Sequence, residues 1–135
     1  MFADLRTILL AEDNANDLEL TLTALQQNRL ANEVVTVRDG AEALDYLYSR
    51  GAFTGRPAIP PLLLLLDLKM PKVDGIRFYR RLATTHPDVA RRVLFVTGDV
   101  AGTEAERFLQ ESGCRWLAKP FRLGDLLRTA REILS

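Results

Sequence analysis

Five consecutive leucines, Leu62 to Leu66, are followed at once by Asp67, and this run limits the fold more sharply than any other feature. A strand with one wet face alternates apolar and polar residues. A run without alternation is a strand covered on both faces, as in a parallel sheet flanked by helices. It falls far short of the roughly 20 apolar residues that a membrane-spanning helix needs.

The rest of the chain repeats a strand-then-helix pattern five times, with no internal repeat. The expected strands are Thr7–Ala11, Glu33–Val37, Leu62–Leu66, Val93–Val96 and Arg115–Ala118. The first helix is expected to open at Asn16, with Glu19 as its capping-box partner and Leu18, Leu22 and Leu25 on one face. Asp39 and Glu42 cap the second, whose Ala43, Leu44 and Leu47 point inward, and a connection from Ser49 to Pro61 follows, stiffened by Pro57, Pro60 and Pro61. The third helix runs from about Gly75 to Ala83, and the fourth is capped by Thr103 and Glu106 and closed by Gly113. The fifth starts near Leu123 and carries an apolar stripe of Leu123, Leu126, Leu127, Ala130, Ile133 and Leu134. Strands alternating with helices imply right-handed crossovers, so the expected fold is α/β: a doubly wound, five-stranded parallel sheet with five helices on its two faces.

With 135 residues the chain fits one domain, expected to span 1–135 with no output domain. Its 18 Lys+Arg balance 18 Asp+Glu, which argues against nucleic acid as a partner, because such domains carry a basic excess to displace counterions. Met1-Phe2-Ala3-Asp4 does not begin a signal peptide, no membrane association is expected, and the single cysteine, Cys114, forms no internal disulfide. The expected location is cytoplasmic.

Open parallel sheets bind ligands beyond the carboxyl ends of their strands. Those positions hold Glu12 and Asp13 after the first strand, Asp67 after the third, Thr97 after the fourth and Lys119 after the fifth. Taken singly, each has an ordinary reading: an acidic pair in a solvated loop, a threonine helix cap, a lysine-proline turn. Taken together they crowd three carboxylates, which repel unless a cation joins them. Oxygen donors without His or Cys select a hard ion such as Mg²⁺, with Mn²⁺ as an alternative. Three negative charges against a divalent ion and Lys119 sum to zero. Asp67 is then usable as a nucleophile toward a phosphoryl group whose oxygens the cation and Lys119 neutralise.

The motifs around these residues are Ala11-Glu12-Asp13-Asn14, Leu66-Asp67-Leu68-Lys69-Met70-Pro71-Lys72-Val73-Asp74-Gly75, Val96-Thr97-Gly98-Asp99 and Leu117-Ala118-Lys119-Pro120-Phe121. In motif and spacing, over essentially the whole chain, the sequence resembles the receiver domain of two-component response regulators, a flavodoxin-like fold. That resemblance implies the strand order 2-1-3-4-5. It also implies that Asp67 is the phosphoacceptor for a sensor histidine kinase. Asp13 and Asp67 would ligate Mg²⁺ directly, Glu12 through water, and Lys69 through its backbone carbonyl. Lys119 and Thr97 would bind the phosphoryl oxygens, Pro120 would follow a cis peptide, and Trp116, where the family usually has Tyr, Phe or a smaller residue, would be the switch residue. Lys69 and Asp99 stand at the variable positions that modulate how water reaches the acyl phosphate.

The first half, with Arg38-Asp39-Gly40-Ala41-Glu42-Ala43 and the long Ser49 to Pro61 connection, looks like the single-domain regulators paired with phytochromes. The second half, with Gly113-Cys114-Arg115-Trp116, looks like receivers of hybrid histidine kinases, and a joint between two such parents would fall near Gly75. The implied output is altered partner binding or self-association, including a homodimer, through the face made by the fourth helix, the fifth strand and the fifth helix. On this reading the chain is not an enzyme beyond promoting its own aspartyl phosphorylation and dephosphorylation. Two other readings compete. A pseudo-receiver would keep the fold as an interaction module without phosphorylation. A phosphatase of the haloacid dehalogenase type also uses a strand-end aspartate with Mg²⁺, but it expects a second acid where Lys69 stands. Neither G-x-G-x-x-G nor G-x-x-x-x-G-K-[ST] occurs, which disfavours a nucleotide-binding domain.

Overall fold

The computed structural model describes residues 7–27, 33–56, 61–68, 75–98, 104–119 and 121–134. Their order is β1 (Thr7–Ala11), α1 (Ala15–Gln27), β2 (Glu33–Val37), α2 (Gly40–Leu47), β3 (Leu63–Asp67), α3 (Gly75–Thr85), α4 (Pro87–Ala90), β4 (Val93–Thr97), α5 (Glu104–Ser112), β5 (Arg115–Ala118) and α6 (Leu123–Leu134). The five strands form one parallel sheet in the order β2-β1-β3-β4-β5. The flavodoxin-like expectation therefore holds, with six helices among the described residues where five were expected.

The leucine run explains why the sheet has two cores. Successive side chains of a strand point to opposite faces, so Leu64 and Leu66 join one cluster while Leu63 and Leu65 join the other. On the first face, Leu9 and Phe95 meet Ala43 and Leu44 of α2, Phe78 and Leu82 of α3, and Phe108 of α5. On the second, Ile8, Leu10 and Leu94 meet Leu25 of α1 and Leu126 and Ala130 of α6. Every residue of β3 and of β4 is buried. Each leucine so enclosed contributes about 1.5–3 kcal/mol relative to exposure.

Several local expectations shift. β3 begins at Leu63, one residue later than expected, and extends to Asp67; Leu62 precedes it, with its N–H on the carbonyl of Thr7 at 2.7 Å. The cap of α1 is Asn14, two residues before the expected Asn16, because its Oδ1 accepts the N–H of Asp17 at 3.0 Å and its carbonyl accepts that of Leu18. Asp39 caps α2 as expected through the N–H of Glu42 at 2.8 Å, while the Glu42 carboxylate returns to the N–H of Arg38. The Ser49 to Pro61 connection contains a 3-10 turn at Gly51–Phe53, and Arg56 stacks over the Tyr46 ring at 3.8 Å. The third helix extends to Thr85. His86 then precedes α4, a single turn with Pro87 in its first position. Gly113 follows α5 at φ +71°, the left-handed conformation that suits glycine. In α6, Leu126 and Ala130 are buried but Leu123, at the start of the helix, is 40% exposed. The expected roles of Pro57, Pro60, Lys69, Asp99, Thr103 and Pro120 lie outside the described residues.

Candidate functional site

Each strand delivers its last residues to one rim. β1 runs into Glu12, whose N–H is held by the carbonyl of Val37 at 3.1 Å and whose side chain is turned inward, leaving the residue 5% exposed. Asp13 beside it faces solvent. Asp67 ends β3 and is 7% exposed. The chain returns close beneath it: the N–H of Gly75 donates to the carbonyl of Leu68 at 3.1 Å. A Cβ at Gly75 would lie 2.8 Å from Leu68 Cα and 3.0 Å from the Asp67 carbonyl oxygen. Only glycine lets α3 start this close to the strand that carries Asp67.

Thr97 ends β4 and is completely buried, and its Oγ1 has no hydrogen-bond partner. Its backbone is tied to the neighbouring strand end, since its carbonyl accepts the N–H of Lys119 at 2.7 Å. An unpaired buried hydroxyl costs about 1–3 kcal/mol, so this atom sits at a place where an acceptor or donor from outside would be welcome. Trp116 pairs with Phe95 across the β4–β5 ladder and is 40% exposed. Alternation puts it on the same sheet face as Thr97.

Lys119 draws the rim together. Its Nζ donates to Glu12 Oε1 at 2.7 Å, Asp67 Oδ2 at 3.1 Å and Asp17 Oδ2 at 3.1 Å. An ammonium has three N–H donors, and here all three end on carboxylates. Asp17 was not expected from the sequence. The available signal was its position in the first turn of α1, immediately after the Glu12-Asp13 loop, where an acidic side chain can reach back over the strand ends.

Electrostatics follow from crowding and burial. Burial pushes the Glu12 carboxyl up to about 7, helped by the charge of Asp67 and opposed by the bond from Lys119. For Lys119, burial acts to lower the pKa, but the bonds to Glu12, Asp67 and Asp17 outweigh it and hold the ammonium above the ordinary lysine value. Glu12, Asp13 and Asp67 each offer an oxygen, and these atoms lie within 4.8 Å of one another. A set of hard oxygen donors gathered this closely fits a divalent cation such as Mg²⁺ or Mn²⁺. The structure thus brings Glu12, Asp13, Asp67 and Lys119 together and sets Thr97 at the adjoining strand end. Trp116 lies outside this cluster, on the exposed edge strand.

The sequence model of the response regulator receiver domain matches residues 8–131. The chain belongs to that family, whose members are in general signalling modules of two-component systems that interact with histidine kinases. Among solved structures it is similar to the bacteriophytochrome response regulator AtBRR, at 41% identity and a TM-score of 0.77, with 96% of this chain and 92% of that one covered. It is 34% identical to the response regulator Rcp1 of Synechocystis, over 96% of this chain and 87% of the relative; the Mn²⁺-bound form of Rcp1 has been solved and superposes with a TM-score of 0.73. A third likeness is the phosphorylated cyanobacterial phytochrome response regulator RcpA, 32% identical with a TM-score of 0.71, covering 95% of this chain and 90% of that one. No helix among the described residues is long and apolar enough to cross a membrane.

Proposed function

We propose that this receiver domain takes a phosphoryl group from the phosphohistidine of a sensor kinase onto Asp67. The observation that carries the reading is Lys119 Nζ held on Asp67 and Glu12 at one rim, with Asp13 beside them. An Asp67 carboxylate oxygen forms the new bond to phosphorus while the phosphorus–nitrogen bond breaks and its electron pair returns to the imidazole ring. The Lys119 ammonium then pairs with the phosphoryl oxygens, and the free hydroxyl of Thr97 supplies a further hydrogen bond.

Asp13 and Asp67 would hold Mg²⁺ or Mn²⁺ directly, Glu12 mainly through water, and the backbone carbonyl of Lys69 would complete the protein's share. When bound, the cation offsets the negative charge of the carboxylates and of the incoming phosphoryl group. The Mn²⁺-bound form of Rcp1 supports the choice of ion, and the phosphorylated RcpA supports the reaction.

The output is a change in the face made by α5, β5 and α6, with Trp116 as the moving residue. Trp116 and Leu123, each 40% exposed on that face, suit it to a protein partner or a second copy of the chain. The likeness to phytochrome regulators points to a kinase of the phytochrome type, acting in the cytoplasm, with residues 8–131 as the receiver domain.

Incubation with Mg²⁺ and a small phosphodonor should add the mass of one phosphoryl group to the wild-type protein and none to Asp67→Asn. Equal incorporation by the variant places the acceptor elsewhere.

A further inference from the structure

Lys119 is held by one carboxylate more than the phosphoryl-transfer reading requires. Glu12, Asp13 and Asp67 already oppose a divalent cation and Lys119 with equal charge, and Asp17 adds a fourth negative group in direct contact with the ammonium at 3.1 Å. We propose that Asp17 is a positioning residue that competes with the phosphoryl group for Lys119 and so sets how readily the site accepts it. The inference rests on the reading of Asp67 as phosphoacceptor and deepens it.

Two functions for the contact have opposite signs, and the geometry chooses between them. If Asp17 were needed to aim Lys119, its loss would weaken phosphoryl binding. Aim is already secured without it: the Lys119 backbone N–H is fixed on the Thr97 carbonyl at 2.7 Å, and Nζ makes its shortest bond, 2.7 Å, to the buried Glu12. Competition has no such substitute. With all three donors spent, a phosphoryl oxygen obtains a Lys119 N–H only by displacing a carboxylate. Asp17 is the most exposed of the three, with 40% of its side-chain surface accessible against 6% for Glu12 and 9% for Asp67. It is the partner that water replaces at least cost, and therefore the one released. Asp17 stands in the first turn of α1, anchored by the Asn14 side chain on its own N–H. Release would therefore uncouple the start of α1 from the end of β5.

The test measures the affinity of beryllium fluoride, a phosphoryl mimic, by calorimetry in saturating Mg²⁺. Asp17→Asn keeps the shape and removes the charge, and it should bind the mimic roughly threefold more tightly than wild type, the scale of one part-exposed ion pair. Asp17→Glu, which keeps the charge, should move the affinity less than Asp17→Asn. Glu19→Gln, which removes an exposed carboxylate of the same helix that is not bonded to Lys119, tests for a general charge effect and should leave the affinity unchanged. Unaltered or weaker binding by Asp17→Asn overturns the inference, as does equal tightening by Glu19→Gln. A wild-type protein that does not bind the mimic at all overturns the phosphoacceptor reading itself, and the competition falls with it.

Discussion

β3 and β5 belong to the same sheet, yet they live in different solvents. β3 is buried at every position and flanked on both sides by other strands, whereas β5 is an edge strand with Arg115, Trp116 and Ala118 exposed and only Leu117 half-buried. The first places Asp67 on the least yielding part of the molecule. The second leaves Trp116 free to repack at little cost, because an edge strand has one neighbour and few enclosed side chains. Lys119 stands just past the end of the edge strand, but its charge is tied to Glu12 after β1, Asp17 of α1 and Asp67 of β3. On the proposed reading, a change of charge at Asp67 reaches β5 through the Lys119 side chain and through Thr97, whose strand pairs with β5, and repacking at the edge would turn it into a change of surface.

This contrast can be broken most forcefully at the centre. Leu65 is 1% exposed, so Leu65→Ala should lower the unfolding free energy by about 2–5 kcal/mol in a urea titration. A loss below about 1 kcal/mol would mean that the centre of the sheet is not close-packed.

The next effect is electrostatic. The folded Glu12 carboxyl sits at about 7 against an ordinary value of 4.5, so between those values the folded state holds more protons than the unfolded one. Stability of the cation-free protein should accordingly fall as pH rises through that window, by an amount on the order of 3 kcal/mol. Glu12→Gln should flatten the slope, and saturating Mg²⁺ should reduce it, since bound cation favours the ionised carboxylate. Lys119 acts in another range: its raised pKa stabilises the fold throughout neutral pH, and that contribution is lost only on alkaline titration above 10.5. A wild-type pH profile unchanged by Glu12→Gln would mean that burial is not what perturbs the cluster.

At the edge, Trp116→Ala should cost about 1–2 kcal/mol, less than Leu65→Ala, because Trp116 is already 40% exposed. A loss as large as that of Leu65→Ala would erase the distinction between the two strands.

How much of this could be read from the sequence divides along the same line. The central strands and the two-sided core were legible because unbroken apolar runs have few other uses, whereas the sheet order came only with the resemblance to receiver domains. The convergence of Glu12, Asp13, Asp67 and Lys119 was legible because strand ends in such a sheet share a rim. Asn14 and Asn16 are equally good caps by composition, and only the backbone geometry decides for Asn14. α4 is a four-residue helix, too short to show a period. Leu123 continues the apolar stripe of α6 in the sequence but is 40% exposed in the structure, which periodicity alone does not reveal. The bond from Lys119 to Asp17 joins residues 102 positions apart, and no local pattern announces a contact of that kind.

The claim that Lys119 is required to carry the state of Asp67 to the edge strand is tested most directly with Trp116, the only tryptophan. Its emission should be followed while Mg²⁺ and then beryllium fluoride are added to wild-type protein and to Lys119→Ala, with calorimetry to verify that the mimic is bound. The account predicts a saturable change on adding the mimic to wild type and none in Lys119→Ala with the mimic bound. An undiminished change in Lys119→Ala would contradict it, because the signal would then reach β5 by another route.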